Sequence, residues 1–147
     1  MSLRKFEEFV KSGLVKKQTP NNERAKSLVK ESIGKYKFLQ TAIKNIPNEQ
    51  MNFNFIVESS YDILLELIRA KMFIDGFNSK NSHEAEISYM EKIGFSEAEI
   101  RFVDELRYNR NGIKYYGRNF DKEYAEKVLK FLEKIHPRLK EIARLGL

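Results

Sequence analysis

Asn52-Phe-Asn-Phe-Ile-Val-Glu-Ser-Ser-Tyr-Asp-Ile-Leu-Leu-Glu-Leu-Ile-Arg-Ala-Lys-Met-Phe-Ile-Asp75 is the most apolar segment of this 147-residue chain, and its spacing is helical. Val57, Tyr61, Leu64, Ile68 and Met72 fall on one stripe, and Ile56, Ile63, Leu67 and Ile74 on a second beside it. Two stripes require burial on more than one side, so this helix is expected at the centre of a bundle. Gly76 follows as a natural C-terminal cap.

The flanking segments are helical too. Leu3, Phe6 and Val10 define a short first helix over about residues 3–12, ended by Gly13, and Lys16 to Thr19 reads as a polar connector. Pro20-Asn-Asn opens a helix through Ala25, Leu28, Ile33, Tyr36, Leu39 and Ile43 that stops before Pro47. Beyond the polar loop at Asn78 to Asn81, Ser82 is an expected N-cap for a short helix from His83, which ends at Gly94. Ser96-Glu-Ala-Glu matches a capping box whose helix runs to about Arg110 or beyond and decays at Gly112, Gly117 and Asn119. The last helix extends from Asp121 or Lys122 to about Leu145. It carries Tyr124, Val128, Phe131, Ile135, Leu139 and Ile142 on one face and an expected kink at Pro137. Five or six helices with short connections and no repeat predict an all-α, antiparallel up-and-down bundle in one domain over 1–147.

Composition narrows the chemistry. The absence of cysteine removes disulfides, thiolate metal sites and cysteine nucleophiles. The two histidines, His83 and His136, fit no metal-binding spacing, so neither a metal nor a cofactor is expected. His83 reads as a polar residue near a helix start and His136 as a surface residue beside Pro137. No apolar run is long enough to span a bilayer, and the start of the chain lacks the apolar core of a signal peptide. A cytoplasmic protein without membrane contact is the expectation. The net charge of +6 lies wholly in residues 1–50, where 11 Lys/Arg face 5 Asp/Glu. That asymmetry suits a polyanion, and equally a lysine-rich solvated helix surface.

One stretch points to chemistry: Glu105-Leu-Arg-Tyr-Asn-Arg-Asn-Gly-Ile-Lys-Tyr-Tyr-Gly117. Val103, Leu106, Arg110 and Ile113 share one helical face, which puts a guanidinium where a leucine belongs. A buried unpaired cation costs several kcal/mol or more, so it requires a partner, a ligand or solvent. Arg107, Asn111 and Lys114 lie on neighbouring turns, and Tyr108, Tyr115 and Tyr116 are close in sequence. Guanidinium groups pair bidentately with phosphate and aromatic rings stack on bases, so these are parts for an RNA or nucleotide phosphate site. The same arginines also suit a structural role, paired with Glu66, Asp62 or Glu105. Glu58, Asp62 and Glu66 form a carboxylate row that reads either as acid/base or Mg²⁺ chemistry or as the salt-bridge partner of those arginines.

In order along the chain, the apolar helix with Glu58-Ser-Ser-Tyr-Asp, the Gly76 loop, the short helix from His83 and the helix ending Leu106-Arg-Tyr-Asn-Arg-Asn-Gly resemble the HEPN superfamily over about residues 22–140. These are small helical bundles found in prokaryotic nucleotide-binding and RNA-cleaving proteins. The active pattern of that family is an arginine, four to six variable residues, then a histidine; Arg110-Asn111 fits its start, and Tyr115 stands at the histidine position. The resemblance implies a homodimer with an arginine-lined groove for RNA or a nucleotide phosphate and a nucleotidyltransferase partner protein. It assigns Arg110, Asn111 and Tyr115 as catalytic if the site is active, and Arg107, Lys114 and Tyr116 as substrate-binding. The alternative it implies is a metal-independent endoribonuclease toxin with a non-standard active site. A phenol, whose solution pKa is near 10, is a poor general base at neutral pH unless strongly perturbed.

Overall fold

A computed structural model describes residues 3–147. The apolar segment forms helix α3 (Phe53–Ile74), and both of its stripes are buried except at the Ile74 end. The other helices are α1 (Phe6–Lys11), α2 (Asn22–Asn45), α4 (His83–Ser88), α5 (Glu97–Tyr116) and α6 (Lys122–Leu145). Side-chain oxygens of Asn21, Asn52, Ser82, Ser96 and Asp121 each accept a first-turn backbone N–H and start α2 to α6 in turn. Each such cap is worth about 1 kcal/mol. Ser96 and Glu99 complete the expected capping box.

Cross-contacts fix the helix directions. Asn21 N–H donates to Phe73 O, and Ser32 Oγ donates to Ile63 O at 2.9 Å, so α2 runs antiparallel to α3. Phe120 N–H donates to Asn54 at the start of α3, while Gly146 abuts Ile74 at its end, so α6 runs parallel to α3. Phe102 stacks on Phe131 with centroids 4.1 Å apart and Arg138 bonds Glu99, which sets α5 antiparallel to α6. The chain therefore passes down and up alternately through α2, α3, α5 and α6, as an all-α up-and-down bundle. Helix α3 is its centre, packed against α2, α4, α5 and α6. Among the described residues, no helix is long and apolar enough to cross a membrane.

Three details depart from the sequence reading. The polar connector is not featureless: Lys16–Lys17 (β1) pairs antiparallel with Phe77–Asn78 (β2). Gln18 N–H continues the ladder to Gly76 O at 2.8 Å, an approach that leaves a Cβ at position 76 only 2.7 Å from Gln18 O. Helix α5 does not decay at Gly112 but runs to Tyr116 and ends on Gly117 in the left-handed region. The missing side chain of Gly112 admits Arg118, whose Cδ lies 2.7 Å from where a Cβ would sit.

The third departure is His136, which is buried at 4 % exposure rather than on the surface. It lies on the stripe Leu132, His136, Leu139 and Ala143, all buried, and α6 continues through Pro137 as one helix. Its ring packs 4.4 Å from Tyr36, and Nε2 is 3.5 Å from Ser32 Oγ. Burial, aided by the Lys140 charge, lowers its pKa to about 4.

Candidate functional site

Helix α5 buries Val103 and Leu106 fully, and Arg110 is the next residue along that face. The Arg110 side chain is only 14 % exposed. Its Nη2 stands 3.7 Å from Asp62 Oδ1, beyond hydrogen-bond reach, and its Nε is buried with no acceptor. Its guanidinium carbon lies 5.5 Å from the centroid of the Tyr61 ring. Of the acids the sequence offered as partners, Glu66, Asp62 and Glu105, only Asp62 approaches Arg110, and loosely. Glu66 is held instead by Lys35 Nζ from α2.

The remaining residues of the motif divide. Arg107 is satisfied within α5, with Nε and Nη2 each 3.0 Å from Asp104 Oδ1. Asn111 is half-buried, whereas Lys114, Tyr115 and Tyr116 are exposed in the last turn. Tyr115 lies about 140° around the helix axis from Arg110 and Tyr116 about 120° in the other sense, so one chain does not bring either onto the arginine face. Tyr108 is exposed as well, with the Arg118 guanidinium 5.3 Å from its ring centroid.

A histidine packs on the same tyrosine as Arg110, though not from the position the motif assigns. His83, the first residue of α4, is half-buried with Nδ1 3.0 Å from the Tyr61 hydroxyl. Burial lowers its pKa below the ordinary 6.5, the positive charges of Arg69 and Arg110 add to that, and Glu86 and Asp62 oppose it. The neutral imidazole is therefore favoured, and His83 and Arg110 both pack on Tyr61. Sequence distance hid this arrangement: 27 residues separate His83 from Arg110, and it is packing on α3 that brings each against Tyr61.

Behind the site lies a polar contact that the sequence reading missed. Glu86 is fully buried and binds Arg69 through two hydrogen bonds, Nε to Oε2 at 2.6 Å and Nη2 to Oε1 at 3.0 Å. Ser79 Oγ donates to the same carboxylate at 2.7 Å. A charged residue inside Ala85-Glu-Ile87, with apolar neighbours on both sides, was the available signal.

Chemically, the cluster offers an arginine with unused donors and an imidazole, both packed on a buried phenol. Donors of this kind hold a phosphate oxygen, and a neutral imidazole accepts a proton. The carboxylate row is dispersed: Asp62 faces Arg110, Glu66 is bound to Lys35, and Glu58 lines a surface cleft with Phe53, Phe55 and Phe120. Among the described residues, no three His, Asp or Glu side chains are grouped to hold a metal ion. No protein-family model, curated protein or solved structure matches this chain.

Proposed function

We propose that this chain is a HEPN-like homodimer that binds RNA or a nucleotide through its phosphate at Arg110, in the cytoplasm, with a nucleotidyltransferase as partner protein. One observation carries the reading: Arg110 is largely buried, its Nε has no acceptor, and Asp62 stands too far away to hydrogen-bond it. Nε itself is sealed from solvent, but the Nη groups of this guanidinium also make no hydrogen bond among the described residues and are the donors a phosphate oxygen would satisfy, a charge-assisted bond worth about 1.5–3 kcal/mol. Exposed Tyr108, Tyr115 and Tyr116, with Lys114 beside them, supply stacking surfaces for unpaired bases and a charge for the backbone. Because Tyr115 lies off the arginine face of its own chain, the dimer groove is where the two would meet, one from each protomer.

A metal-independent endoribonuclease is the second reading, and His83 favours it. In it the imidazole takes the proton of an attacking 2′-hydroxyl while Arg110 stabilises charge on the phosphate, and the packing of both side chains on Tyr61 supports that pairing. In this reading His83 takes the role that the motif assigns to position 115.

The test is fluorescence anisotropy of a labelled single-stranded RNA with EDTA present, followed by a denaturing gel, for wild type, Arg110→Ala and His83→Ala. Saturable binding that Arg110→Ala loses supports the first reading; equal affinity in both proteins overturns it. RNA shortened by wild type alone selects the ribonuclease. A monomeric mass by light scattering at micromolar concentration would count against the dimer.

A further inference from the structure

The far end of α3 carries a second polar site, independent of Arg110. A cavity of about 390 Å³ is lined by Gln18, Asn21, Arg24, Arg69, Phe73, Asn78, Ser79, Lys80 and Asn81. Phe73 lies 11 residues beyond Asp62, or about 16 Å along the helix. The lining includes three cations, four carboxamides and a hydroxyl, and no acid. The Glu86 carboxylate lies behind it, already bound by Arg69 and Ser79.

Backbone hydrogen bonds border this cavity. Its walls are the β1–β2 ladder, the bond from Gln18 N–H to Gly76 O and that from Asn21 N–H to Phe73 O at 2.9 Å. Arg24 makes no ion pair among the described residues, and its guanidinium lies over the Phe73 ring at 5.2 Å. Lys80 likewise pairs with no acid there; its ammonium reaches only Gly13 O at 3.4 Å. Lys80 and Asn81 are the two described non-glycine residues at positive φ, 51° and 66°. Non-glycine backbone in that region costs of order 1 kcal/mol or more and concentrates where a loop must present its groups in a set way.

We propose that this cavity binds a small sugar phosphate. Arg24 and Lys80 receive the phosphate, since cations with no acid beside them attract a dianion, while the charge of Arg69 is already met by Glu86. Gln18, Asn21, Asn78 and Asn81 offer both donors and acceptors, as sugar hydroxyls require. A lining whose one apolar member is already covered by Arg24 gives a base or lipid chain little to pack on. The volume lies within the range of small-molecule sites.

Isothermal titration calorimetry of the whole chain with ribose 5-phosphate, glucose 6-phosphate and unphosphorylated ribose tests this. At least one sugar phosphate is expected to bind saturably below millimolar concentration, and ribose is not. The double variant Arg24→Ala/Lys80→Ala, at exposed positions, is expected to lose about ten-fold or more in affinity, which is roughly 1.4 kcal/mol. Arg110→Ala is expected to bind the sugar phosphate as wild type does, so failure here and failure of the RNA reading are separable. No saturable binding of either phosphate, equal binding of ribose, or an undiminished affinity in the double variant would overturn the proposal.

Discussion

The Tyr61 hydroxyl lies 3.0 Å from Nδ1 of His83, and this one contact ties the central helix to the start of α4. The Tyr61 ring is fully buried, and its face also carries Arg110. Tyr61→Phe keeps the ring and removes only the bond to His83, so it should cost about 1 kcal/mol. Tyr61→Ala also empties the core and should cost about 3–5 kcal/mol. Urea unfolding of the two variants checks the difference, and equal losses would show that the hydroxyl, not the ring, carries the contact.

His136 makes stability depend on pH. Its folded pKa of about 4 is below the ordinary 6.5, so the folded state holds the neutral form and the unfolded state binds the proton first. The contribution is complete above pH 6.5 and is lost as pH falls from 6.5 towards 4, by about 3 kcal/mol in all at this nearly inaccessible site. Unfolding free energy should fall over that window, and His136→Gln should flatten the slope. With only two histidines in the chain, the ring signals are easily assigned by NMR, and both should titrate below 6.5.

The Arg69–Glu86 pair separates a broken ion pair from a replaced one. Glu86→Ala strands a mostly buried guanidinium and leaves Ser79 Oγ without its acceptor, a loss of about 3–5 kcal/mol. Arg69→Met with Glu86→Leu removes both charges and should lose clearly less. Thermal unfolding of the single and double variants decides it; additive losses would mean that the two residues do not act as a pair.

Much of the architecture was legible because period and caps act locally. The stripes of α3, the cap at Ser82 and the box at Ser96 are set by residues within a few positions of one another. The errors arose where distant segments decide. Gly112 reads as a helix end until Arg118 is seen lying over it, and His136 reads as exposed beside Pro137 until Tyr36 and Ser32 of α2 cover it. At the site, spacing singled out Arg110 and offered Glu66, Asp62 or Glu105 as partners, of which Asp62 is the one that approaches it. It could not place His83, whose approach depends on the fold of the whole α3–α4 connection.

Two glycines should respond in opposite directions to the same substitution. Gly76 is held at φ +84°, and a methyl group there meets the Gln18 carbonyl at 2.7 Å, so Gly76→Ala must open the β1–β2 junction or strain it. A loss of about 1–3 kcal/mol is expected. Gly34 lies inside α2 with nothing within 4 Å of an added Cβ. Gly34→Ala should therefore stabilise by about 0.5–1 kcal/mol. Denaturant midpoints measure both, and destabilisation by Gly34→Ala would contradict the open surface described for α2.

Arg107 and Arg110 are three residues apart and carry the same charge, yet the RNA reading gives them unequal weight. Arg107 is already neutralised by Asp104 at 3.0 Å, whereas Arg110 has an unbonded Nε and an acid 3.7 Å away. A phosphate gains more from the second than from the first, because displacing Asp104 costs what the new bond returns. Arg110→Ala should weaken single-stranded RNA binding by roughly ten- to a hundred-fold, and Arg107→Ala by only a few-fold. Arg110→Ala should also reduce the slope of log affinity against log salt by about one contact. Arg110→Lys keeps the charge but loses the fork, so its salt slope should stay near that of wild type while its affinity falls. Equal losses for Arg107→Ala and Arg110→Ala, with equal changes of slope, would mean that the RNA senses the two cations alike and that the largely buried Arg110 has no special role.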